Sequence, residues 1–274
     1  MLSRVLRALA VVAPWLAGRL ALALFCTPIS TAAANRSAEL RAAEVFASAE
    51  RFMVQSGGRS LAAYSWGTGP AVLLVHGWAG RATQFRALVG PLTEAGFRAV
   101  AIDLPAHGRS PGRMTNGFEF AQAVEALAER TGGAHAVIAH SLGALSTSIA
   151  LAHGLSVRRA VYLAPFVSLD FGYRAFAREL CLSARGTDAL RRAVERRFGD
   201  DIWARAAADV LIAEVDVPAL IVHDADDPEV PLEEGTRLAE SWSAAELMIT
   251  SGLGHRRVLR DPDVLSGIVK FIGP

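Results

Sequence analysis

Residues 134–143, Ala-His-Ala-Val-Ile-Ala-His-Ser-Leu-Gly, constrain the fold more than any other stretch of the chain. The apolar run Ala136-Val137-Ile138-Ala139 reads as a short buried strand, and the run that begins at Leu142 and ends near His153 reads as a helix. Between them, Ala139-His140-Ser141-Leu142-Gly143 places a small residue two positions to either side of a serine. That spacing suits a sharp strand-to-helix turn, in which neighbouring backbone comes close and the serine Oγ is held exposed. Ala139 stands where such turns usually have glycine, one methyl group larger. The pentapeptide alone is weak; its position between a strand signal and a helix signal gives it weight.

The rest of the chain supplies matching units. Arg51–Gln55 and Ser60–Trp66 read as two strands joined by a Gly57-Gly58 turn, after a helical stretch over 36–50. Ala71–Val75 is a continuous apolar run that reads as a buried strand, and Arg98–Asp103, Ala160–Ala164, Ala219–His223 and Ala245–Thr250 read as further strands. Helical patterns at Thr83–Ala95, Phe118–Arg130 and Asp261–Phe271 fall between or after them. This alternation predicts an α/β fold: a mainly parallel sheet with helices on both faces. A hydrophobic content of 52% supplies ample core for one large domain, 36–274. A net charge of +1 gives no field for nucleic acid, and no nucleic-acid partner is expected.

One stretch breaks the rhythm. More than fifty residues separate the strands near Ala164 and Ala219, far beyond a normal crossover. Phe171–Leu182 and Thr187–Phe198 within it look helical, which predicts a helical cap at about 166–212. Its arginines (Arg174, Arg178, Arg185, Arg191, Arg192, Arg196, Arg197, Arg205) read first as a solvated face; the sharper reading is that one or two hold an anionic substrate group.

Residues 1–35 form a separate apolar, amphipathic segment. Arg4 and Arg7 precede the run Ala8–Gly18, and Arg19 interrupts it before Leu20–Cys26. Neither run can span a bilayer. At about 100° per residue, the three arginines fall within an arc of roughly 120°. That is a polar stripe on an apolar helix that Pro14 would kink, suited to packing on the body or lying on a membrane surface through residues 1–30. The alternative is a signal segment cleaved near Ala34, after Ala32-Ala33-Ala34. Cys26 and Cys181 are too few for a disulfide framework. As free thiols they favour a cytoplasmic protein over an exported one, with membrane association as the surface reading of residues 1–30.

A serine hydroxyl needs a base to take its proton, and the base needs an orienting acid. Both appear, in order, after later strands. His223-Asp224-Ala225-Asp226-Asp227-Pro228-Glu229-Val230-Pro231 follows one, and Gly252-Leu253-Gly254-His255 follows the next. Ser141, an aspartate and His255 would thus meet at the C-terminal edge of the sheet, where open parallel sheets bind ligands.

With Val72-Leu73-Leu74-Val75-His76-Gly77-Trp78 and Asp103-Leu104-Pro105-Ala106-His107-Gly108-Arg109-Ser110, these stretches make the chain resemble the α/β-hydrolase fold family from about Arg51 to the C-terminus. The resemblance implies that the backbone N–H groups of Trp78 and Leu142 form the oxyanion hole. The family pattern selects Asp227 as the acid, with Val230-Pro231 matching its tail. Asp224 stands at a position where the family has glycine, and Asp224 and Asp226 remain competitors. His76 reads as ordering the oxyanion loop, and His135, His153 and His223 as structural. No cofactor and no metal is expected. The expected substrate is a small acyl compound, cleaved at an ester, thioester or related bond. The rival readings are perhydrolysis, peptidase action or carbon–carbon hydrolysis on the same residues, or a scaffold that binds a ligand without catalysis. A serine at the turn argues against the dehalogenase and epoxide-hydrolase branches, where an aspartate stands there.

Overall fold

The computed structural model describes residues 2–29 and 32–273. Eight strands form one sheet: β1 (Glu50–Ser56), β2 (Arg59–Trp66), β3 (Ala71–Val75), β4 (Arg98–Ile102), β5 (Ala136–His140), β6 (Arg159–Leu163), β7 (Ala219–Asp224) and β8 (Ala245–Thr250). Their order is β1-β2-β4-β3-β5-β6-β7-β8. The β1–β2 hairpin, turned at Gly57 and Gly58, joins β4 antiparallel, and every other pairing is parallel. Every residue of β3, β5 and β7 is buried, as apolar strands covered on both faces must be.

The helices are α1 (Leu2–Val12), α2 (Pro14–Phe25), α3 (Ala32–Ala47), α4 (Arg86–Glu94), α5 (Gly117–Arg130), α6 (Leu142–Ala152), α7 (Leu169–Glu179), α8 (Ala184–Phe198), α9 (Ile202–Arg205), α10 (Ala208–Leu211), α11 (Leu232–Ser241), α12 (Gly254–Arg257) and α13 (Pro262–Ile272). The strand period of two divides the core. Leu73, Val75, Val137, Tyr162 and Ile221 face α5, α6 and α11 through Phe120, Val124, Ile149 and Trp242. Val72, Leu74, Ile138, Val161 and Val222 face α3, α4 and α13 through Phe46, Leu88, Leu92, Val264 and Ile268. Each such side chain contributes about 1.5–3 kcal/mol when fully buried. The helix expected over Thr83–Ala95 opens as a 3-10 turn, Ala82–Phe85, before α4 begins.

Helices α7 to α10 occupy the long stretch between β6 and β7 and carry their own small core of Tyr173, Leu190, Val194, Ile202 and Ala206. That core includes Ala21 of α2, so the N-terminal helices pack on this insertion. Among the described residues no helix is long and apolar enough to cross a membrane.

Candidate active site

The serine turn forms where β5 ends. Ser141 has φ 54° and ψ −123°, a left-handed geometry that non-glycine residues adopt only when their surroundings impose it, at about 1–3 kcal/mol. Two glycines let the backbone close around it. A Cβ on Gly143 would lie 2.6 Å from the Val75 carbonyl oxygen, and one on Gly77 would lie 2.7 Å from Ser141 Cβ. Ala139 lies two residues before Ser141 in the regular ladder, paired with Val75 and Tyr162, where a methyl group is accommodated. The Ser141 N–H donates to the Leu163 carbonyl at 3.1 Å, and its own carbonyl accepts from Ala144 and Phe166. Its Oγ has no hydrogen-bond partner among the described residues and faces the cavity described below, which His255 also lines.

The structure separates the three competing aspartates. Asp227 Oδ2 lies 2.8 Å from His255 Nδ1, and the side chain has no exposed surface. Its Oδ1 accepts from the backbone N–H groups of Glu229 (2.8 Å) and Val230 (3.0 Å). Burial alone would raise this carboxyl. The bonds from His255 and the two amides outweigh burial and hold it below the usual carboxylate range. Asp224, at the family's glycine position, instead accepts from Asp226 N, Thr250 Oγ1, Leu253 N and Gly254 N, and so clasps the turn that carries His255. Asp226 accepts from Ser251 Oγ and Gly252 N at the surface.

Three further histidines support the site, and sequence reasoning assigned a role only to His76. His140 Nε2 donates to the His255 carbonyl at 2.9 Å, while its Nδ1 accepts from Gln84 Nε2. It thereby ties the serine turn to the histidine loop. His76 Nδ1 donates to the Gly77 carbonyl and its Nε2 accepts from Leu104 N. His107 donates to Pro105 and accepts from Ala79 N, beside Trp78. Each ring uses one nitrogen as donor and the other as acceptor, which only a neutral imidazole can do. Burial, the largest cause in all three, pushes His140 down to about 3, His107 down to about 4 and His76 well below the ordinary value near 6.5.

These three rings predict how stability depends on pH. Between about 6.5 and the lower folded values, the unfolded chain binds protons that the native chain does not. Stability is therefore intact above about pH 6.5 and falls as pH drops towards 4, approaching about 4 kcal/mol per pH unit for three histidines at about 1.4 each. Urea unfolding at pH 7, 6 and 5 checks this; a flat profile over that range contradicts the neutral, buried assignment.

Trp78 follows β3 and Leu142 is the first residue of α6. Among the described residues neither N–H donates to a protein acceptor. Leu142 also lies at the positive end of the α6 dipole. The loop carrying Trp78 is braced by Asp103, which accepts from Ala82 N, Arg109 N and the Tyr64 hydroxyl.

Ser141, Leu142, Trp78 and His255 line a cavity of about 570 Å³. Its other walls are mostly apolar and come from four places: the end of α2 and the residues after it (Leu24, Phe25, Ile29), α5 and α6 (Phe118, Leu145), the insertion (Phe166, Phe176, Phe198) and the loop after β7 (Val230). None of the eight insertion arginines lines it. Arg174, Arg191 and Arg205 pair with Asp170, Glu195 and Asp201, and Arg197 lies over Phe198. The expectation that some of them grip an anionic substrate in this cavity is not met, since none lines it, and acids four residues away engage three of the eight. The charged groups on the cavity wall are Glu179 and Glu229. Cys26 also lines it, but burial raises its thiol to about 11, which keeps it protonated and poorly nucleophilic at neutral pH.

A family model described as the alpha/beta hydrolase family matches residues 72–267, so the chain belongs to that family and is a hydrolase by class. Solved structures with the same fold include the esterase RhEst1 from Rhodococcus sp. ECU1013, 21% identical with TM-score 0.65, covering 82% of this chain and 98% of that one. An esterase from Exiguobacterium antarcticum is 15% identical with TM-score 0.64, over 81% and 99% of the two chains. The carboxylesterase CesB from Bacillus subtilis is 17% identical with TM-score 0.64, over 87% and 96%. Among curated proteins no sequence match is found.

Proposed function

We propose that the protein cleaves an ester, thioester or related acyl bond through an acyl-enzyme on Ser141. The observation that carries this reading is the Asp227–His255 hydrogen bond of 2.8 Å beside a serine held at positive φ in the same cavity. His255 Nδ1 donates to Asp227, which fixes the tautomer and leaves Nε2 as the base. Ser141 Oγ attacks the carbonyl carbon as His255 takes its proton. The oxygen that turns negative is held by the free N–H groups of Trp78 and Leu142. His255 then protonates the leaving group, and water repeats the attack with His255 again as base. Asp227 stays ionised throughout and stabilises the imidazolium. Esterase neighbours support the reaction class, as does a thioesterase domain of a curacin pathway, which shares the fold at 16% identity.

Turnover of a p-nitrophenyl ester tests the reading. The wild-type chain is expected to hydrolyse it and a folded Ser141→Ala variant is not; equal rates in the two would end it.

A further inference from the structure

The N-terminal helices are built into the body on one side and open on the other. Ala17, Gly18 and Ala21 are buried, and a Cβ on Gly18 would lie 2.2 Å from the Ala189 carbonyl oxygen of α8. The close crossing of α2 and α8 therefore depends on that glycine. Arg7 Nε donates to the Cys181 carbonyl at 3.0 Å, and Thr115 N to the Cys26 carbonyl at 2.9 Å. The outer side exposes Val5, Val11, Val12, Trp15, Leu20 and Ile29, between 41% and 78% accessible. These are six of the eleven exposed large apolar side chains among the described residues, gathered in about a tenth of the chain. Scattered apolar side chains need no explanation, but a concentration of this kind marks an interaction surface.

Two observations say what covers it. Residues 1–38 contain Arg4, Arg7, Arg19 and Arg36 and no acidic residue. Among the described residues, Arg4, Arg7 and Arg19 form no ion pair. A second copy of this face would bring arginine against arginine, whereas anionic headgroups neutralise them. Further, Ile29 is 75% exposed and also lines the cavity, so it stands at the mouth; Leu24 and Phe25 continue the wall inward. Helices of 11 and 12 residues reach about 18 Å at most, against a hydrocarbon core of about 30 Å, so they lie on a bilayer rather than across it.

We propose that the outer face of α1 and α2 seats the protein on an anionic lipid bilayer, and that an uncharged acyl chain passes from the bilayer by Ile29 and Phe25 to Ser141. The second half rests on the hydrolytic reading above; the first does not. Trp15 takes the headgroup level, as an amphipathic ring does, with Val11 and Val12 in the acyl boundary and Arg4 and Arg19 against phosphate.

Flotation of the full chain with vesicles tests the seat. Binding to phosphatidylcholine mixed with phosphatidylglycerol is expected to exceed binding to phosphatidylcholine alone by about tenfold or more. The triple variant Val11→Ser, Val12→Ser, Trp15→Ser is expected to lose it by a similar factor. None of these three residues lines the cavity, so hydrolysis of a short soluble ester stays unchanged. Hydrolysis of a long-chain ester held in the vesicles falls with binding. A wild-type chain that stays at the bottom of the gradient, or a variant that floats equally well, overturns the proposal. So does a wild-type dimer that the triple variant dissolves without any flotation, which would assign the face to self-association. Flotation without cleavage of any ester leaves the seat standing and removes the hydrolytic reading instead.

Discussion

Ser141→Ala is expected to lower kcat/KM for a p-nitrophenyl ester by about 10⁴-fold or more, with little change in thermal midpoint. The size of the effect follows from the chemistry that remains. Without Oγ, His255 has no nucleophile to deprotonate on the enzyme, and only the oxyanion donors and the binding cavity are left to aid attack by water. The structural effect is small for a separate reason. The hydroxyl has no protein hydrogen-bond partner among the described residues, so its removal orphans nothing, and alanine at φ 54° meets the same strain as serine. Activity and stability therefore separate at this position. A variant that loses both would mean that the hydroxyl is structural and that the reading of the turn is wrong. Kinetics and a melting curve on the same preparation decide between the two.

Gly143→Ala is expected to cost about 3 kcal/mol of stability, or about 6–12 °C in thermal midpoint for a chain of this size. The added methyl group would sit 2.6 Å from the Val75 oxygen and 2.7 Å from the His76 oxygen. Both are backbone atoms at the end of β3, the strand that carries the loop to Trp78, so neither can swing aside as a side chain would. Either α6 withdraws or the end of β3 shifts. Each movement displaces Ser141 relative to the Trp78 N–H, and a displacement of about 1 Å costs roughly 10²-fold in rate. Gly90→Ala is the matched comparison. Gly90 lies in α4, and a methyl group added there would meet nothing within 4 Å, so alanine should gain about 0.5–1 kcal/mol. Equal melting behaviour in the two variants would show that the close approach behind Ser141 is not what restricts position 143.

The serine turn, the strand rhythm and the order of Ser141, Asp227 and His255 were legible because each is written in a few adjacent residues. A buried strand shows as a short apolar run, and a turn shows as small residues at fixed spacing. What the sequence did not disclose depends on contacts between distant segments. The junction of Gly18 with Ala189 lies in small-residue packing, which looks like ordinary Ala-rich helix until both partners are in view. His140 sits at a position of the serine turn that tolerates many residues, and its bond to the His255 carbonyl spans 115 positions. Asp224 looked like a competitor for the catalytic acid; four donors from the Thr250–Gly254 turn and Asp226 instead make it a clasp. The arginines of the insertion could be read two ways because charge count carries no direction. Only the folded insertion shows that none of them lines the cavity. The boundary between residues 1–35 and 36–274 rests on hydropathy alone, and α3, Ala32–Ala47, runs across it.

Covalent capture tests the central claim most directly. After treatment with a fluorophosphonate, the intact protein is expected to gain the mass of a single phosphonyl group. Peptide mapping should place that group on Ser141, with labelling lost in Ser141→Ala and sharply reduced in His255→Ala. A folded protein that takes up no label, or one whose label sits elsewhere and survives Ser141→Ala, contradicts the account.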